Sequence, residues 1–215
     1  MDVGSVPRSY IRKVLGPRDD ILEAVLRTSL LQENIPPIQV DDNAGRILQI
    51  LTSLHRPMFA IEIGSLFGYS TICIARGLPE GAKLAAIEMS ESLAAITRRN
   101  VQAAELDSKV EVINADAVSY IPTIRDNSVD MVFIDADKKS YPEYLKVVYP
   151  KLKRGGLLIA DDAFANADFT ILSEGADNAK ELEGIHKYNC AVAKSPKLVS
   201  AFIGTETGML ISVKQ

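Results

Sequence analysis

Two short segments concentrate the side chains best suited to chemistry, Asp135-Ala136-Asp137-Lys138 and Asp161-Asp162. Carboxylates held close together repel one another unless a cation neutralises them, so Asp135, Asp161 and Asp162 read as oxygen ligands if the fold unites them. With no thiol or imidazole nearby, such a set suits a hard ion, Mg2+ or Ca2+. Lys138, three residues past Asp135, is placed to act as a base beside it. Plainer readings stand next to these: an Asp after a strand is a turn former, and a lysine in the pair Lys138-Lys139 is a solvated one. Glu88 could accept both hydroxyls of a ribose, or be a favourable charge at a helix N-terminus. Asp116 could bond an adenine amino group, or cap the following helix. Gly64 and Gly68, within Glu62-Ile63-Gly64-Ser65-Leu66-Phe67-Gly68-Tyr69-Ser70, allow a sharp turn and close approach to a ligand. Their spacing is G-x-x-x-G, not the G-x-G-x-x-G of a pyrophosphate-binding turn.

These residues must be held by something, and the hydrophobic rhythm says what. From residue 58 onward short apolar runs alternate with helical stretches. The runs 58–63, 83–87, 110–113, 131–134 and 156–160 are predicted strands, with predicted helices over 69–76, 92–104, 118–124 and 141–152 between them. That alternation predicts an α/β fold: a doubly wound, Rossmann-like, mostly parallel sheet covered on both faces. Ligands of such sheets bind beyond the carboxyl ends of the strands, where Glu62 to Ser70, Glu88, Asp116, Asp135 and Asp161-Asp162 all fall. A helix from 177 to 193 precedes runs 198–203 and 209–213, which pair most simply as a C-terminal antiparallel hairpin at the sheet edge. Helices over 9–15, 21–32 and 41–54, broken by Gly16-Pro17 and Pro36-Pro37, form an N-terminal cap. One domain over 1–215 is expected, with the cap in 1–54 and the sheet core in 55–215.

Composition narrows the classes. At 215 residues, with 47% hydrophobic and 24% charged residues, the chain suits a globular core and excludes disordered, collagen-like and disulfide-stapled classes. A net charge of −4 supplies no general attraction for nucleic acid. No apolar run would span a bilayer, and the first residues do not read as a secretory signal, so a cytoplasmic location is expected. Two histidines, His55 and His186, cannot build a multi-histidine metal site. Cys73 and Cys190 are expected to be free, buried thiols.

Taken together, "EIGSLFGYS" at 62–70, "FIDADK" at 133–138 and "GGLLIADD" at 155–162 resemble the cation-dependent class I O-methyltransferases that use S-adenosylmethionine, the catechol and caffeoyl-CoA O-methyltransferase family. The likeness is to small bacterial members and runs from about Tyr10 onward. It implies that Val40, Gly64 and Ser70 line the methionine part of the cofactor, with Glu62, Ser65, Gly68 and Tyr69 in the same motif. Glu88 would hold the ribose, and Asp116 with Ala117 the adenine. Phe67 or Tyr69 would lie against the sulfonium. Asp135, Asp161 and Asp162 would ligate a divalent cation, Mg2+ or else Ca2+ or Mn2+, with Asp135 also beside the cofactor and Lys138 as general base. The family carries Asn at the last ligand position, so Asp162 adds a negative charge and bears on which metal is preferred. Ser140 also departs from the usual Asn, and 163–175 matches poorly. The acceptor implied is a small phenolic vicinal diol. The alternative is a hydroxylated nucleoside in tRNA, for which Arg8 to Arg18 offer a local basic patch. A homodimer is also implied, supported by Ile21, Leu22, Val25, Leu26, Leu30 and Leu31 in a segment with no sheet of its own.

Overall fold

The apolar runs are strands, and they lie side by side in one seven-stranded sheet. The computed structural model describes residues 8–16, 18–164 and 179–215. The strands are β1 (Phe59–Ile63), β2 (Lys83–Glu88), β3 (Val110–Asn114), β4 (Val129–Ile134), β5 (Leu152–Ala160), β6 (Leu198–Ile203) and β7 (Met209–Lys214). Their order is β3-β2-β1-β4-β5-β7-β6. The first five are parallel, while β7 runs antiparallel between β5 and β6. The order reverses between β1 and β4, which opens a crevice above their carboxyl ends.

Among the described residues eight α-helices accompany the sheet: α1 (Arg8–Leu15), α2 (Asp20–Arg27, prolonged by a π turn Thr28–Gln32), α3 (Asp42–His55), α4 (Tyr69–Gly77), α5 (Glu91–Ala103), α6 (Ala117–Tyr120), α7 (Tyr141–Val148) and α8 (Ala179–Ala193). Strand alternation sorts them into two layers. Ala60, Leu84, Ala86, Met131, Phe133 and Ile159 point to one face, against Leu22, Leu26, Leu48, Ile72 and Val101. Ile61, Ile63, Ile87, Val132, Ile134 and Leu158 point to the other, against Ile121, Tyr141, Val148, Ile185 and Tyr188. With both faces covered, the strands read as near-continuous apolar runs. The N-terminal segment therefore has a sheet face to cover after all. Leu22, Val25 and Leu26 are buried in the chain's own core, whereas Ile21 and Leu31 are exposed.

Helix starts follow the short polar residues. Asp19 accepts from Leu22 N (3.2 Å), and Asp41 accepts from Asn43 N (2.7 Å) and Ala44 N (2.9 Å). Several bounds differ from the predicted ones: β4 begins at Val129 rather than 131, and of the helix expected over 118–124 only Ala117–Tyr120 is α-helical. The helix expected over 141–152 stops at Val148: Tyr149 still has helical backbone and caps the end, but Pro150 has no N–H with which to continue the ladder. The chain is thereby free to begin β5 at Leu152 rather than at 156. Residues 177 and 178 of the last predicted helix lie outside the described residues. Cys73 is buried, but Cys190 is only partly so, against the expectation for both. Among the described residues no helix is long and apolar enough to cross a membrane.

Candidate active site

A cavity of about 590 Å3 opens above the carboxyl ends of β1, β2 and β4, the size of a cofactor site. Its first wall is the loop from β1 to α4. Gly64 sits at φ 90°, and a Cβ there would come within 2.2 Å of the Asp135 carbonyl oxygen, so the loop lies directly on the next strand end. Gly64, Ser65, Phe67, Tyr69 and Ser70 all line the cavity. Ser65 Oγ meets Thr97 Oγ1 at 3.2 Å, and Tyr69 donates to Asp42 Oδ1 (2.9 Å), fixing the loop from both sides. Gly68 caps α4 at φ 91° with Thr97 packed against it.

Glu88 and Asp116 form the next wall. Glu88 accepts from Leu66 N (3.0 Å) through one oxygen and from Ser90 N (2.9 Å) through the other. Each oxygen keeps a second lone pair, and the residue lines the cavity. Asp116 caps α6 by accepting from Ser119 N (3.0 Å) and Ser119 Oγ (2.6 Å), which also hold its carboxyl below the usual carboxylate range. It lines the cavity beside Ala117 all the same, so the cap and the wall are one residue.

At the carboxyl ends of β4 and β5 the three aspartates converge. One carboxylate oxygen from each of Asp135, Asp161 and Asp162 lies within 4.8 Å of the others. An octahedral shell at the Mg2+–oxygen distance spaces its ligands at about 3.0 to 4.2 Å, so a small inward movement closes this set on a cation. Asp162 reaches the cluster from a left-handed backbone at φ 55°. Lys138 Nζ lies 2.6 Å from Asp135 Oδ1 and 2.6 Å from Asp162 Oδ2, and it donates to Tyr141 OH (3.1 Å). Burial, then the charges of Asp135 and Asp162, raise the Asp161 carboxyl well above its ordinary value. Burial also raises Asp135, against the pull of Lys138. For Lys138 burial opposes the charge, but Tyr141, Asp135 and Asp162 outweigh it and hold the ammonium on. One lysine against three carboxylates leaves a negative excess, so hard oxygen donors and charge both fit a divalent cation.

The chain's relatives can be set beside this geometry. The O-methyltransferase family profile matches residues 16–215. The chain belongs to the O-methyltransferase family. It is similar to a catechol O-methyltransferase of Niastella koreensis, 34% identical over 84% of this chain and 81% of that one. A catechol O-methyltransferase of Mycobacterium tuberculosis is 30% identical over 79% and 76% of the two chains. Among solved structures, the O-methyltransferase from Bacillus cereus in complex with SAH superposes with a TM-score of 0.87 at 29% identity, covering 96% of each chain. This O-methyltransferase shares the fold of that structure.

Three residues expected at the cofactor are not on the wall: Gly68 caps α4, and two others lie behind it. Val40 is buried in the core, and its neighbours Ile38 and Gln39 line the cavity instead. Glu62 is fully buried beneath the loop, where Thr71 Oγ1 donates to it. Burial pushes its carboxyl up to about 7, although Thr71 and Ser70 hold it back. Other participants gave no signal in the sequence. Tyr144 and Glu181 reach the cavity from helices read only for periodicity. Tyr141 OH, beside Lys138, donates to the Asp161 carbonyl (3.1 Å). Most of the poorly matched 163–175 segment lies outside the described residues.

Proposed function

We propose that this O-methyltransferase moves the methyl group of S-adenosylmethionine to a hydroxyl of a small vicinal diphenol of catechol or caffeoyl type, with a divalent cation at Asp135, Asp161 and Asp162. The observation that carries the reading is the convergence of those carboxylates around Lys138 at the mouth of the cavity. The names of the two catechol O-methyltransferases point to the same acceptor class. When bound, the donor supplies an electrophilic methyl on a sulfonium, and the cation acidifies and orients a phenolic hydroxyl.

The chain's own residues supply the rest. The loop from Gly64 to Ser70 would hold the methionine end, Glu88 the ribose, and Asp116 with Ala117 the adenine edge. Phe67 and Tyr69 offer aromatic faces to positive charge. Lys138 can take the acceptor's proton only as the free amine, and its bonds to Asp135 and Asp162 oppose that form. Engaging those two carboxylates elsewhere withdraws the charges that hold the proton on Nζ, which turns a counter-ion into a base. Holding both reactants in line in one crevice contributes up to roughly 7–11 kcal/mol of the barrier.

Methyl transfer from labelled donor to a panel of vicinal diphenols and matched monophenols tests the reading. Turnover of diphenols, lost with chelator and restored by Mg2+ or Mn2+, is expected. Undiminished turnover in chelator would sink the cation's part, and equal turnover of monophenols the acceptor's. Of the basic patch behind the tRNA alternative, Arg18 is committed to Asp42 and, at 3.3 Å, to Glu23.

A further inference from the structure

Asp135 and Asp162 are both steadied by Lys138, but the carboxylate of Asp161 rests on a different part of the chain. Its backbone is already fixed, since Asp161 N donates to Ile134 O (3.0 Å) and Asp161 O accepts from Tyr141 OH. Only the side-chain torsions remain. Thr207 Oγ1 lies 3.3 and 3.2 Å from the two carboxylate oxygens, so its single proton is shared between them and locks the carboxylate plane. The N–H of Asp162 faces the same group.

Thr207 is itself held on several sides. It lies in the turn between β6 and β7, and its carbonyl accepts from Phe164 N (2.8 Å). Gly208 O accepts from Ala163 N (2.9 Å), and a Cβ at Gly208 would strike the Phe164 ring at 2.3 Å. On the other side Glu206 N donates to Asp41 Oδ2 (3.2 Å), the residue that caps α3. A hydroxyl on so constrained a turn has one place to point.

We propose that Thr207 is a positioning residue, whose hydroxyl fixes Asp161 in the orientation that ligates the divalent cation. The inference rests on the cation reading above. Partners that orient a ligand typically contribute 10- to 100-fold in metal affinity, so loss of this hydroxyl is expected to weaken binding by about ten-fold or more.

The experiment is Mn2+ titration followed by electron paramagnetic resonance, on wild type, Thr207→Val and Thr207→Ser, each with S-adenosylhomocysteine present. Val keeps the shape and removes the hydroxyl, and Ser returns it. The expected result is at least a ten-fold weaker Mn2+ affinity in Thr207→Val, recovery in Thr207→Ser, and unchanged S-adenosylhomocysteine affinity in both. Equal Mn2+ affinity in wild type and Thr207→Val, with only the melting temperature altered, would overturn the inference and leave the cation site standing. Absence of saturable Mn2+ binding by wild type would overturn both. Should Thr207→Val not fold, Thr207→Ala carries the same comparison.

Discussion

A methyl group at position 64 has nowhere to go. Gly64→Ala would press its Cβ against the Asp135 carbonyl at 2.2 Å while holding φ near 90°, a conformation that costs a non-glycine residue about 1–3 kcal/mol. A lower melting temperature and weaker S-adenosylhomocysteine binding by calorimetry are expected together. Glu62 titrates from about 7 in the folded protein against 4.5 unfolded. Between those values the folded state holds a proton that the unfolded state has lost, so stability falls as pH rises. Glu62→Gln removes that dependence. Urea unfolding of the ligand-free proteins from pH 4.5 to 7 should show wild type losing on the order of 3 kcal/mol relative to the variant. Asp162→Asn keeps an oxygen but drops a charge and the ion pair to Lys138. It is expected to shift the order of metal preference while turnover persists; superimposable metal titrations would deny the extra charge any role. The sequence displayed Asp135, Asp161, Asp162 and Lys138 because each follows a predicted strand. Thr207 was hidden, since it lies 46 positions from its partner in what reads as an ordinary turn, and the pairing of β5 with β7 is what brings the two together.

Among the elements, α2 shows how a boundary residue can serve two structures. Asp19 caps the helix and also pairs with Arg76 of α4 at 2.7 and 3.0 Å, and that pairing holds its carboxyl down to about 2. The stability it contributes is present above about pH 4 and is lost as pH falls toward 2. Asp19→Ala should cost about 1 kcal/mol at neutral pH, mostly the cap, because the ion pair is exposed. Asp19→Asn should keep the cap and lose only the acid-sensitive part. Thermal melts of the three proteins at pH 7 and pH 3 separate the contributions. A helix start of this kind is legible at Asp116, which reads as a cap and is one. The end of α7 was misplaced because apolar periodicity ran on through Tyr149 to Leu152 and outweighed the proline within it.

For the molecule as a whole, the layered sheet followed from the alternation of runs, and the crevice from where the order reverses. What composition could not assign was which apolar helical faces meet which side of the sheet; that depends on the parity of each strand, as with Ala60 and Ile61 pointing oppositely. Ligand binding at the crevice should stabilise the entire fold: S-adenosylhomocysteine at a hundred times its dissociation constant is expected to add about 2.7 kcal/mol, and NAD nothing, as read by melting temperature. The placement of β7 also governs assembly during synthesis. The sheet's last-made strand is an interior one, wedged between β5 and β6. Until the ribosome has delivered residues 209–214, β5 presents an open row of amides and carbonyls, and Thr207 has no fixed turn on which to sit. Closure of the sheet and the fixing of the Asp161 carboxylate by Thr207 are thus one late event.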